Sequence, residues 1–250
     1  MSLNRSNAVI QRHIETQKLR REQKAERSVK NKRQKLVHLV SAHLEKNNND
    51  WSTLPAILKY IANTFSVQGL FTPKQRDAAT FMKEEERAEK KLVREVVGPK
   101  RGSFHLAFFA LASGFKGRPH SHSNVNCVSA VLEGPFTEAV YQEEKDDAIT
   151  AVAVETREKG NISADLVGAD KDKFIHSVGN YNNDKIVYSL HVYGVRRGTN
   201  FNSFYDNVTN PGFVQDEAEK QIKASKVQKA EAKDQVATDN ATSLKHSIRI

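Results

Sequence analysis

One cysteine, Cys127, stands in a chain of 250 residues. A framework of intramolecular disulfides is therefore excluded, and a lone thiol suits a reducing compartment. No apolar run approaches the roughly 20 residues that a membrane-spanning helix needs. The opening stretch MSLNRSNAVIQRHIETQKLRREQK has no apolar centre of the kind a secretory leader carries. A cytoplasmic location is the expectation. Neither a P-loop nor a dinucleotide fingerprint occurs, and no internal repeat is evident. The hydrophobic share, 38%, is low for the full length, so some segments are expected to lie outside any packed core.

Acidic residues are scarce in one place only. The formal net charge is +9, which would suit a nucleic-acid-binding domain if it were spread evenly. It is not. Residues 1–37 hold eleven of the 39 Lys/Arg and three of the 30 Asp/Glu, leaving 28 basic against 27 acidic residues in the rest. The basicity belongs to an N-terminal arm, which reads as a solvated helix or an unfolded extension suited to an anionic partner. The remainder divides into a domain over 38–210 and a Lys/Ala-rich tail over 211–250, the latter read as disordered or loosely helical.

Within the domain, two helical stretches come first. In WSTLPAILKYIANTF, Pro55 fits a first-turn position behind Ser52 or Thr53. Leu54, Ile57, Leu58, Ile61 and Phe65 fall on one face. TPKQRDAATFMKEEERAEKKLVREVV, residues 72–97, is read as a second helix with a charged, exposed face. After GPKRG the period changes. SFHLAFFALASG, NCVSAVLEG, PFTEAVYQ, AITAVAVETRE and KIVYSLHVYGV are short β-rich runs divided by Gly, Pro, Asn and Asp. The expectation is a mainly β protein: a cupin-like double-stranded β-barrel with an N-terminal helical cap and helical or disordered terminal extensions.

RPHSHSNVNC, residues 118–127, carries a His-x-His pair. On a strand His120 and His122 share a face, where two imidazoles can share a metal. Gly114, Gly117 and Pro119 predict a tight turn delivering that strand. On an unbroken strand Cys127 would face away from His122, so a turn or bulge between them is needed to bring it round. Further along, His176 is followed by Ser189, His191 and Tyr193 at i, i+2, i+4, three polar groups on one strand face amid Ile186, Val187, Leu190 and Val192. His13, His38, His43 and His246 are expected to be solvated, His105 to line the interior without a nameable partner, and Trp51 to anchor a helix start.

HSHSNVNC, VLEGPFTEAVY, IHSVGN and SLHVYGV, in that order over roughly residues 50–205, resemble the motifs of cysteine dioxygenases, a cupin family. The resemblance implies that His120, His122 and His176 hold Fe(2+). Cys127 stands where other cupins place a ligating glutamate, and it implies a thioether between Cys127 and Tyr193. It implies a Ser189–His191–Tyr193 relay and a carboxylate-binding Arg94, where a related branch acting on 3-mercaptopropionate has glutamine. Ser121 stands where aspartate is common, Leu92 where a tyrosine is usual, and Glu138 matches a recurring position of the second motif. The activity implied is oxidation of the thiol of free L-cysteine to cysteine sulfinic acid with both atoms of O2, by a monomeric, non-haem iron enzyme. The alternatives are a dioxygenase for another small thiol, 3-mercaptopropionate or cysteamine, and a non-enzymatic metal-binding cupin whose basic arm binds a partner.

Overall fold

In the computed structural model, which describes residues 3–80, 92–99, 104–122, 125–145, 148–166, 174–181, 185–194, 203–225 and 227–228, helices come first and strands follow. Helix α1 runs from Leu3 to Lys46 without interruption at residue 37. Over residues 10–28 its side chains are exposed, Ala25 in part. From Val29 onward one stripe is buried, comprising Val29, Arg33, Leu36, Val37, Val40 and Leu44, the i, i+4, i+7 spacing of a helix laid on a core. Asn48 and Asn49 end it with positive φ, 54° and 59°, a conformation asparagine tolerates better than most residues. The Asp50 side chain then accepts from the Ser52 N–H, starting the short turn at Trp51. Helix α2, Leu54–Thr64, buries Leu54, Leu58, Ile61 and Ala62, with Pro55 in its first turn as expected.

The second predicted helix is shorter than its pattern suggested. Helix α4, Pro73–Thr80, follows the single turn α3, Val67–Leu70, whereas Leu92–Val97 is strand β1. Its Val93, Val96 and Val97 are β-branched and stiff at χ1, and the segment pairs along its whole length with β2, Phe104–Leu111. The EEERAEKK portion lies outside the described residues, as does His246.

Eight further strands complete two antiparallel five-stranded sheets. They are β3 (His120–Ser121), β4 (Cys127–Glu133), β5 (Phe136–Glu143), β6 (Ile149–Arg157), β7 (Ile162–Asp165), β8 (Ile175–Gly179), β9 (Val187–Gly194) and β10 (Ser203–Phe204). One sheet runs β1-β2-β9-β4-β7 and the other β10-β3-β8-β5-β6. From β2 on, the chain mostly alternates between them, the winding of a double-stranded β-helix. This order makes β3 and β8 neighbours although 55 residues of numbering separate their starts, and it sets β9 across from them in the opposing sheet.

The central strands of the first sheet, β2, β9 and β4, are buried on both faces. Phe108, Val128, Leu132, Leu190 and Val192 pack outward against Leu36, Val40, Leu58, Ile61 and Phe71 of the helices. Ser189, His191 and Tyr193 alternate with them and point inward. Leu58→Ala removes a fully buried side chain from this layer. We expect a loss of about 3 kcal/mol, read as a fall of roughly 6–12 °C in Tm. The outer face of the second sheet is covered in part by the tail, which forms a helix, α5, over residues 213–225. Val214 and Ala218 join Tyr141, Ile149 and Tyr181 in a second cluster, while Gln221 donates to Val154 O and accepts from Thr156 N–H, both at 2.7 Å. Among the described residues no helix is long and apolar enough to cross a membrane.

Candidate metal centre

The loop into β3 is built for close approach. Gly117 donates its N–H to Val178 O at 2.9 Å, and a Cβ there would sit 2.4 Å from that same oxygen; only glycine fits. With the loop pressed onto β8, His120 becomes the cross-strand partner of His176. His122 follows the strand and turns back, its carbonyl accepting from Val125 N–H at 2.9 Å. One potential ligand nitrogen from each of His120, His122 and His176 lies within 4.8 Å of the others, and the His122 and His176 Nε2 atoms are 3.3 Å apart.

Each ring is held by its other nitrogen. His120 Nδ1 meets Arg118 O at 3.0 Å, His122 Nδ1 meets Asp165 Oδ2 at 3.0 Å, and His176 Nδ1 meets Glu138 Oε1 at 2.6 Å. A carbonyl and two carboxylates only accept here, so all three Nδ1 atoms carry the proton. Burial, reinforced by the neighbouring His176, pushes His120 down to about 3, and burial also lowers His122 against the pull of Asp165. With Nδ1 engaged by an acceptor, Nε2 is the nitrogen each ring has left for a metal. At 3.3 Å apart the His122 and His176 Nε2 atoms can both reach one ion at metal–nitrogen bonds of about 2.1 Å. The donor set therefore fits a divalent metal held by three imidazoles, each oriented by an outer acceptor.

Glu138 is 2% exposed. Burial alone would raise its carboxyl, yet the hydrogen bond from His176, the charge of Arg157 and a bond from Ser163 Oγ at 3.1 Å hold it below the ordinary carboxylate range. Arg157 Nε pairs with Glu138 Oε2 at 2.9 Å and its Nη1 donates to Ile162 O at 2.7 Å. Thus Glu138 holds the His176 ring through Nδ1. Glu138→Gln keeps the shape and loses the charge. Metal affinity should fall by roughly 10–100-fold, measured by chelator competition, and the metal-free protein should melt lower because Arg157 loses its buried charged partner.

From the opposite sheet, Ser189 Oγ lies 3.1 Å from His191 Nε2 and Tyr193 Oη 3.4 Å from His191 Nδ1. Burial holds His191 neutral, down to about 3. Cys127 is the cross-strand partner of Tyr193 and packs with it and Ala107. Burial pushes both the thiol and the phenol well above their usual values, and the two side chains are in hydrogen-bonding contact. Tyr193 also stacks on His105, ring centroids 5.1 Å apart at 24°, so His105 has the partner that its sequence position did not disclose. His43 is likewise half-buried, bonded to Thr53 at 3.0 and 3.1 Å and not simply solvated.

A cavity of about 560 Å³ opens onto this centre. Phe109, Leu111, Phe115 and Val178 give it apolar walls, His120 and His176 line it, and Arg94 reaches it from β1 with its guanidinium 5.8 Å from the Phe109 ring centroid. Asp165, Arg157 and Ser163 were missed by sequence reasoning. No spacing marks them, because β7 meets β4, and Arg157 meets Glu138, only through the sheet order.

Residues 56–196 match the family model for cysteine dioxygenase type I. No curated protein matches the chain by sequence. Solved structures that resemble it include the Cnp3 cupin domain of Schizosaccharomyces pombe, 11% identical over 42% of this chain and 66% of that one, with a TM-score of 0.33. A conserved protein with a double-stranded β-helix domain from Klebsiella pneumoniae is 14% identical over 50% of this chain and 99% of its own, TM-score 0.33. The DMSP lyase DddQ of Ruegeria pomeroyi is 13% identical over 48% and 52%, TM-score 0.34. The chain thus spans about two thirds of the first of these and half of the last.

Proposed function

The chain belongs to the cysteine dioxygenase type I family, thiol dioxygenases, and within it we propose that the substrate is free L-cysteine, oxidised to cysteine sulfinic acid with Fe(2+) on His120, His122 and His176. The convergence of His120, His122 and His176, with ligand nitrogens within 4.8 Å of one another, on a cavity that Arg94 also lines carries the reading. When bound, ferrous iron would supply the one-electron chemistry that lets O2 react with a thiol. Atoms balance without a further reductant: thiol plus O2 gives the sulfinic acid.

The chain's own residues bind and orient. Arg94 takes the substrate carboxylate through two parallel N–H bonds, which favours an amino acid over cysteamine. Phe109, Leu111 and Phe115 keep water from the thiol. His191 has one N–H to give. Ser189 Oγ–H donating to His191 Nε2 leaves His191 Nδ1–H to donate to the Tyr193 oxygen, so the phenol proton remains for the substrate or for oxygen. Cys127 supplies no ligand; it joins the Tyr193 ring in a thioether, with loss of one hydrogen from each and O2 as oxidant. Peptide mapping of aerobically purified protein should recover the two residues in one cross-linked peptide, and Cys127→Ser should abolish it.

Oxygen uptake by the iron-loaded protein with L-cysteine, with sulfinate measured as product, tests the whole reading. Stoichiometric sulfinate, and higher kcat/KM for L-cysteine than for cysteamine or 3-mercaptopropionate, is the expected result. Preference for either competitor would replace the substrate; no thiol-dependent uptake would remove the activity.

A further inference from the structure

The cavity holds a second guanidinium that free cysteine leaves unused. Arg118, in the loop entering β3, lines it beside Phe204 and His120. Its guanidinium lies over the Phe204 ring, 5.0 Å from the centroid, and Phe204 is the cross-strand partner of His120. Asp206 accepts from Nε at 3.2 Å and from Nη2 at 2.6 and 2.8 Å. Among the described residues, nothing takes Nη1. The aromatic face and the carboxylate fix the guanidinium plane, and one N–H group pair is left for a ligand. The Arg118 and Asp206 side chains are 45% and 78% exposed, so water screens the pair, and Asp206 orients the guanidinium through Nε and Nη2.

Arg94 comes from β1 in one sheet and Arg118 from the approach to β3 in the other, giving the cavity a guanidinium from each of its two walls. A volume of about 560 Å³ falls among clefts of roughly 300–1,000 Å³ that enclose drug-sized ligands. L-cysteine is far smaller and has one carboxylate. We propose that Arg118 forms a second anion subsite, and that the substrates include thiols bearing two carboxylates, one for each guanidinium. Turnover of such thiols rests on the dioxygenase reading; the subsite does not.

Calorimetric titration of the full chain with succinate and with propionate separates the two. Neither contains a thiol. Succinate should bind on the order of tenfold more tightly, the gap should close in Arg118→Ala, and Asp206→Asn, which leaves Arg118 in place, should widen it. In parallel, the kcat/KM ratio of mercaptosuccinate to 3-mercaptopropionate should fall in Arg118→Ala by a similar factor. Equal affinities in the unmodified protein, or an equal loss of both ligands in Arg118→Ala, would overturn the subsite while leaving cysteine oxidation intact. A succinate preference in a protein that oxidises no thiol would uphold the subsite and reject the dioxygenase.

Discussion

Alanine at position 176 is expected to abolish metal retention and thiol-dependent oxygen uptake together. His176 gives one of three Nε2 donors, and it is the one whose Nδ1 is held by the charged Glu138 at 2.6 Å. Losing an orienting partner typically costs roughly 10–100-fold in metal affinity; losing the donor itself should cost more. The same change leaves the Glu138 carboxylate buried with Arg157 as its remaining charged neighbour, so some stability is lost too, and activity alone would not separate the causes. Metal-dependent stabilisation does. Ligand binding to the native state raises Tm with concentration, so unmodified protein should gain Tm on adding ferrous iron anaerobically, and His176→Ala should not. Ser177→Ala is the control. Ser177 points to the other face of β8, where its hydroxyl meets Tyr141 Oη at 3.0 Å. It should lose about 1 kcal/mol with the hydrogen bond and keep its metal response. A His176→Ala protein that binds iron and consumes oxygen normally would refute the three-histidine centre.

The parts of this centre that could be read in advance are those with local period. Ser189, His191 and Tyr193 share a face because side chains alternate on a strand, and β9 indeed aims all three inward while Tyr188, Leu190 and Val192 enter the helical layer. Helix α2 was readable for the same reason at period 3.6. The pairings across the barrel were not. Asp165 reaches His122 from 43 residues away, a distance that only sheet order can close. Strand β1 was concealed by the charged run before it, which extends a helical pattern into residues whose pairing with β2 decides otherwise. Arg33 looked like one more base among eleven. It is in fact buried, with Nε donating to Leu70 O at 2.8 Å, Nη2 to Gln75 at 3.1 Å, Nη1 paired with Glu95 at 3.3 Å, and its guanidinium 4.9 Å from the Phe108 centroid. The Val29–Leu36–Val40–Leu44 phase does place it on the inward stripe, so the signal was present. The same holds for Val214, Ala218 and Ile222, an i, i+4, i+8 stripe in a tail whose composition argued for disorder or a loosely packed helix.

Arg94→Ala should lower kcat/KM for L-cysteine by roughly two decades and leave cysteamine nearly untouched. A carboxylate paired with guanidinium and then stripped of it typically costs about 2–5 kcal/mol, and each 1.36 kcal/mol is tenfold. The lower end applies. Arg94 is exposed, so the pair forms in partly wet surroundings and the lone carboxylate in the variant can recover some water. Register explains why the arginine nonetheless lines the cavity: Arg94 sits opposite Phe109 on β2, and Phe109 meets His191 edge-on at 4.7 Å between centroids. The neighbouring Glu95, on the other face of β1, is tied to α1 through Arg33, which fixes the strand and hence the direction of Arg94. Cysteamine lacks the carboxylate, so the ratio of the two kcat/KM values isolates the contact from any general loss of fold. Arg94→Lys sharpens the test. It keeps the charge and gives up the planar fork, so partial recovery of the ratio would assign part of the effect to charge and the remainder to bidentate geometry. Equal losses on cysteine and cysteamine would mean that Arg94 holds up the cavity wall and reads no carboxylate.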